Sequence, residues 1–305
     1  MRGGLQKGKV KSEKFATAGK MTMEEVFKHT FKAMRKRLDE QRAMGRRLWQ
    51  QRLGTASEFC RAVVSNGYLS EEQMQRAAQR YRLGASRDGG VIFWQIDECD
   101  LLRDGKIMHY RPDCHRDHDR KPTWTAYLLH KHGQLPEDWN TDHCLFGLHL
   151  LTQINYKGHT DLTDDKSHTD YTDDKHPIDD DISFISAGHN KSVRSERSVC
   201  DKKTVCVVEA EKTAVIMSEV KPEYVWLATG GKTELNVAKL RPLEGRRIIL
   251  FPDTDADGQT YRDWYDIAEA ASGVFGHPVT VSTLLEQRAT PAQKAAKIDL
   301  VDLLF

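Results

Sequence analysis

Three short apolar runs, each followed by a stretch of helical pattern, dominate the C-terminal third of this 305-residue chain. Val205-Cys206-Val207-Val208 ends at Glu209, Tyr224-Val225-Trp226-Leu227 ends at Thr229-Gly230-Gly231, and Arg247-Ile248-Ile249-Leu250-Phe251 ends at Asp253-Thr254-Asp255. A helix predicted over 260–272 leads to a fourth strand at 279–282, and a short helix closes the chain over 297–304. Strands alternating with helices form a parallel sheet with right-handed crossovers. In such a sheet every strand ends on the same edge, and ligands bind there. Glu209, Asp253 and Asp255 are therefore expected in one crevice, although 46 residues separate the first from the last.

Three carboxylates packed together repel, and left alone at least one takes up a proton. A hard divalent cation relieves the repulsion. Mg²⁺ (or Mn²⁺) suits a site of a few carboxylates, waters and substrate phosphates. The implied chemistry is phosphoryl transfer, with the metal polarising the phosphate. Around these acids, Asp257 is either a further metal carboxylate or a cap for the helix that follows. Gly230 and Gly231 either let backbone approach a ligand closely or make a tight strand-to-helix turn. Lys212 is expected to meet a nucleotide phosphate or to pair with a neighbouring acid, and Glu211 reads as ordinary first-turn dipole chemistry.

Upstream the character changes. Residues 1–54 hold fifteen Lys/Arg against five Asp/Glu, a local balance of +10 in a chain whose net charge is +1. Such a basic arm is either a nucleic-acid footprint or a solvated leader. Residues 1–20 read as disordered. From Met23 a helix is predicted, with an apolar stripe at Phe27, Phe31, Met34 and Leu38 that is expected to pack. A helical pair follows at about 55–66 and 70–82, with Ser70 and Gln73 as a capping box and Gly84 as its stop. The period then becomes two. Val91-Ile92-Phe93-Trp94-Gln95-Ile96 and Lys106-Ile107-Met108-His109-Tyr110 flank Arg103-Asp104-Gly105, and Asp-Gly between apolar runs predicts a hairpin turn. Arg111, Arg116, Arg120 and Lys121 offer a basic wall for phosphates, with Trp94, Tyr110 and Trp124 as candidate base-stacking rings or, on the plainer reading, core.

Residues 153–203 read as an acidic, low-complexity, mobile insertion, with a tandem repeat starting at His159 and again at His168 and at most weak metal-holding capacity. No apolar run approaches the roughly 18 residues of a membrane span. Six scattered cysteines fit reduced, cytoplasmic thiols. Cys114-His115 with His118 offers half a zinc site at most, and no Gly-x-x-x-x-Gly-Lys-Ser/Thr phosphate loop is present.

Val207-Val208-Glu209-Ala210-Glu211-Lys212, Thr229-Gly230-Gly231 and Phe251-Pro252-Asp253-Thr254-Asp255-Ala256-Asp257-Gly258 resemble the Toprim domain of DnaG-type primases, topoisomerases and some nucleases. Glu209, Asp253 and Asp255 fall on that family's glutamate and D-x-D, and Gly258 on the glycine that follows in primases. Tyr68 to Gly84, the segment from Val91 to Arg111, Leu145-Phe146-Gly147-Leu148 and the closing Lys297-Ile298-Asp299-Leu300-Val301-Asp302-Leu303 are similar to primase-core segments in primase order. Ala210 in place of glycine and Thr213 in place of a frequent aspartate depart from the pattern.

The resemblance implies an α/β fold: a basic helical arm (1–54), a primase-core-like α+β subdomain (55–152), the insertion (153–203) and a Toprim domain with a four-stranded parallel sheet (204–305). It implies metal-dependent synthesis of short RNA primers on a single-stranded DNA template from nucleoside triphosphates, in replication or transfer of a mobile element. Template recognition or unwinding falls to a separate partner. Glu209, Asp253 and Asp255 would be catalytic and metal-holding, with Lys212, Gly230, Gly231, Arg111 and Lys121 binding nucleotide or nucleic acid. Asp299 and Asp302 are expected on the far side of the fold. The rival readings are a metal-dependent nuclease or nicking enzyme on the same acids, and a non-catalytic nucleic-acid-binding accessory protein.

Overall fold

The computed structural model describes residues 23–152 and 203–305. The lysine-rich leader and the tandem repeat, with its candidate weak metal ligands, lie outside the described residues. The chain forms two compact units, Met1–Glu40 and Gln41–Phe305. Helix α1 (Met23–Gln50) runs across the boundary. In the first unit Phe27, Phe31, Met34 and Leu38 are exposed among the described residues, so the expected packing of the stripe is not seen. That stretch is sustained locally by straight-chain residues of good helix propensity and by Lys36 and Glu40 at i,i+4, 3.7 Å apart. In the second unit the helix is anchored. Gln41 Nε2 donates to the Leu102 carbonyl at 3.0 Å, and Arg46 pairs with Asp100 at 2.7 Å.

Helices α2 (Glu58–Ser65) and α3 (Glu71–Arg80) form the predicted pair. The capping box is present: Gln73 N–H donates to Ser70 Oγ at 3.2 Å, and the Ser70 N–H to Gln73 Oε1 at 2.8 Å. The expected glycine stop differs. Arg82 takes the left-handed position (φ 55), and Gly84 opens strand β1 (Gly84–Ala85). Glycine is required there for another reason: a Cβ on Gly84 would lie 2.9 Å from Trp94 Nε1.

Strands β2 (Val91–Ile96), β3 (Leu102–Met108) and β4 (Thr123–Trp124) complete an antiparallel sheet in the order β1-β2-β3-β4. The hairpin turn is not at Asp104-Gly105. Those residues sit inside β3, opposite Gln95 and Trp94. The chain reverses over 97–101, where Asp97 Oδ1 accepts from the Cys99 and Leu101 N–H groups, both at 2.9 Å. Asp104 is buried and accepts from its neighbour Gly105 N, from Thr125 Oγ1 and from Ala126 N. It thereby caps helix α4 (Thr125–Lys131).

Beyond the undescribed segment come β5 (Val205–Val208), α5 (Glu211–Val220), β6 (Val225–Ala228), α6 (Val237–Leu240), β7 (Ile248–Phe251), α7 (Gln259–Phe275), β8 (Val279–Val281), α8 (Leu284–Arg288), α9 (Pro291–Ala296) and α10 (Leu300–Leu304). The closing helix starts later than predicted because Lys297 adopts φ 58 and Asp299 caps α10. The four strands form one sheet in the order β6-β5-β7-β8, and every pairing is parallel. All residues of β5, β6 and β7 are buried, as in a sheet covered on both faces. The exposed edge of β6 is met by Phe146, which exchanges hydrogen bonds with Ala228 at 2.8 and 3.1 Å. One hydrophobic cluster runs from Phe59 and Tyr81 through Phe93 and Phe146 into the parallel strands. Among the described residues no helix is long and apolar enough to cross a membrane.

Candidate active site

The order β6-β5-β7-β8 contains a reversal of direction. The connection from β5 leads outward to β6, and the one from β7 leads the other way to β8. The crevice between the carboxyl ends of β5 and β7 is therefore the topological switch point, where ligands of open α/β sheets bind. Val208 pairs with Phe251, so Glu209 and the Pro252-Asp253 segment leave adjacent strands at the same level.

Glu209 is half-buried. Burial pushes its carboxyl above the ordinary range, while Lys232, Lys106 and Lys297 pull it back. Asp253 is raised well above its ordinary range by burial, by the Glu209 charge beside it, and by Asp299 and Asp302, with Lys212 opposing. The two acids thus disfavour each other's ionisation. Asp255 behaves differently. It is buried, yet the Thr260 hydroxyl at 2.5 Å, the Thr260 N–H at 2.9 Å and Lys232 Nζ at 3.1 Å all donate to Oδ2 and hold the carboxyl well below its usual range. Its Oδ1 is buried without a partner.

Among the described residues no group of three or more His, Cys, Asp and Glu side chains is arranged to hold a metal ion. One oxygen of Asp255 is already engaged by Thr260 and Lys232. The donor set nevertheless suits a hard cation. Mg²⁺ takes one or two protein carboxylates and fills the rest of its shell with water and phosphate. Glu209 and Asp253 supply two carboxylates whose repulsion such a cation relieves, and the orphaned Asp255 Oδ1 is a spare acceptor.

The other sequence-predicted residues divide. Gly230 (φ 87) makes the turn after β6. Its N–H donates to the Glu209 carbonyl at 2.9 Å, and its carbonyl accepts from Lys106 Nζ at 2.6 Å. Gly231 lies in the same turn, its carbonyl accepting from Thr229 Oγ1 at 3.0 Å. Lys212 is paired with Asp299 at 3.3 Å and Asp302 at 3.5 Å, and these acids raise its pKa against the effect of burial. Asp257 is exposed, and its Oδ1 accepts from Gln259 N at 3.4 Å at the start of α7. Arg111 is exposed and pairs with Asp113 at 3.3 Å; Lys121 is exposed. Arg120 pairs with Asp88 at 2.6 Å. Trp94 and Tyr110 are buried in the core and present no ring for stacking, whereas half-buried Trp124 stacks on His143 with centroids 4.0 Å apart.

Asp299 is not on the far side. Thr254, between the two aspartates after β7, donates from its N–H (3.1 Å) and its hydroxyl (3.2 Å) to the Ile298 carbonyl. Asp299 Oδ2 accepts from Thr213 Oγ1 at 2.5 Å. The C-terminal segment is thus clasped against the acidic edge, and its carboxylates raise Asp253. Sequence reasoning also missed Lys106, Lys232 and Lys297 as neighbours of Glu209. Lys232 directly follows the glycine pair and carried that signal. Lys106 lies about a hundred residues upstream in another sheet and carried none.

No curated protein and no solved structure matches the chain. A family described as "Domain of unknown function (DUF6371)" matches residues 57–160 and 195–254, so it takes in α2 to α4, the antiparallel sheet and the strands β5 to β7 with Glu209 and Asp253. That is more than half of the chain, which accordingly belongs to the DUF6371 family.

Proposed function

We propose that this chain is a Toprim-type, primase-like nucleotidyltransferase that joins ribonucleotides on a single-stranded DNA template with the help of Mg²⁺ or Mn²⁺. The observation that carries the reading is the pair of mutually repelling carboxyls, Glu209 and Asp253, at the switch point of a parallel sheet. Acids perturbed by burial and by a neighbouring charge, sitting in a cleft, are candidates for a functional site. Glu209 and Asp253 would hold the cation, with Asp255 completing the acidic edge. The bound cation supplies charge neutralisation and polarisation of the phosphate. The protein's own part is positioning. The left-handed Gly230 brings backbone to the site, where a Cβ would lie 3.0 Å from Glu211 Oε1. Lys106, Lys232 and Lys297 surround Glu209 with positive charge that favours a triphosphate.

The test is synthesis of short RNA from nucleoside triphosphates on single-stranded DNA with Mg²⁺ or Mn²⁺, comparing the parent with Glu209→Gln. Removing a cation-holding carboxylate is expected to reduce the rate by roughly a hundredfold or more. Cleavage of DNA without nucleotides would favour a nuclease on the same acids. Equal behaviour of parent and variant in both assays would leave a binding protein.

A further inference from the structure

Lys232 stands where two strands' acids meet. Its ammonium is 3.1 Å from Asp255 Oδ2, beyond β7, and it is the foremost positive charge acting on Glu209, beyond β5. One monovalent group thus partly neutralises carboxylates from both sides of the switch point, which is the task of a divalent cation there. Resting on the metal-dependent reading above, we propose that Lys232 is an exchangeable counter-ion. It holds Asp255 while the site lacks a divalent cation, and passes to the phosphates of a nucleoside triphosphate once the cation is bound.

Three features make the pair exchangeable rather than fixed. The partners differ in freedom: the Lys232 side chain is 45% exposed, and that of Asp255 is 8% exposed. Thr260 pins the aspartate with two further hydrogen bonds, so the lysine is the member that moves. Asp255 retains unused capacity, because Oδ1 is buried without a partner and a buried orphan acceptor is costly. Finally, a divalent cation and an ammonium repel at such range. Lys106 and Lys297 already act on Glu209, so a released ammonium finds more positive charge among its neighbours. The favourable destination is an anion that enters the same crevice, and a triphosphate is the anion this reaction brings.

The experiment titrates Mn²⁺ alone into the full chain, reading free Mn²⁺ by electron paramagnetic resonance, for the parent, Glu209→Gln, Lys232→Ala and Lys232→Gln. Loss of a competing, half-exposed ion pair is expected to tighten Mn²⁺ binding about fivefold in both Lys232 variants. ATP titrated onto the Mn²⁺-loaded protein is expected to bind about fivefold more weakly to the same variants, one charge contact having gone. A lysine that merely props up Asp255 predicts the opposite for Mn²⁺: equal or weaker binding in the variants overturns the exchange and leaves the metal reading standing. Tighter Mn²⁺ binding with unchanged ATP affinity overturns the transfer to phosphate. A parent chain with no Mn²⁺ site sensitive to Glu209→Gln overturns the metal reading, and the exchange with it.

Discussion

Asp253 and Asp255 lie on either side of Thr254, yet they are driven to opposite sides of the ordinary carboxylate range. Burial acts on both. What separates them is the company each keeps: another carboxyl for Asp253, and donors from Thr260 and Lys232 for Asp255. The D-x-D spacing made both residues legible as strand-end acids, but a charge state depends on partners from other elements and no spacing encodes it. His149 is a second case. It was part of no motif, and it lies buried beside Leu148, its Nε2–H donating to the Arg80 carbonyl at 3.2 Å. Burial, with the Arg82 charge, lowers its pKa to about 4. The neutral ring is therefore the folded form, while an unfolded histidine titrates near about 6.5. Its contribution to stability is complete above that value. It falls as the pH drops towards about 4, by on the order of 3 kcal/mol. Urea midpoints measured at pH 7.5, 5.5 and 4 should decline more steeply for the parent than for His149→Gln. Parallel slopes would remove the histidine from the acid response.

Among the elements, signals written within a few residues were read well, and those that depend on a partner strand were not. The Ser70–Gln73 capping box, the helical pair and the strands of the parallel sheet follow from local pattern. Asp104-Gly105 carried an equally strong local turn signal and lies mid-strand. Two tertiary contacts override it. Asp104 is spent on capping α4, and Gly105 faces Trp94 so closely that a Cβ would sit 2.5 Å from the indole Cε3. The glycine is there to admit a ring, which a single sequence does not distinguish from a turn. Gly105→Ala is accordingly expected to destabilise the protein by about 1–3 kcal/mol, the usual cost of overpacking. Denaturant titration checks it. A variant as stable as the parent would mean that Trp94 has room to shift.

At the scale of the whole second unit, two sheets of different construction share one core, and the contacts joining them are long-range. Tyr81 donates its hydroxyl to the Trp226 carbonyl at 2.7 Å, Phe146 pairs with Ala228, and Lys106 of β3 reaches Glu211 at 3.1 Å and the Gly230 carbonyl at 2.6 Å. None of these pairings was legible, because periodicity and motif spacing say nothing about which distant residues face each other. The Lys106–Glu211 pair tests how the joint is held. Both side chains are buried, so their attraction is offset by the cost of removing two charges from water. Lys106→Met leaves Glu211 charged, buried and unpaired, and is expected to cost about 3–5 kcal/mol in a denaturant titration. Lys106→Met combined with Glu211→Leu removes the stranded charge and should recover most of that loss, leaving chiefly the Gly230 carbonyl without its donor. If the double variant is as unstable as the single one, the loss comes from the contacts that Lys106 itself makes, the Gly230 carbonyl included, and not from a stranded charge. Full recovery means that the pair adds little net stability. The joint would then rest on the aromatic core around Tyr81 and Phe146, whose rings stack with centroids 5.0 Å apart.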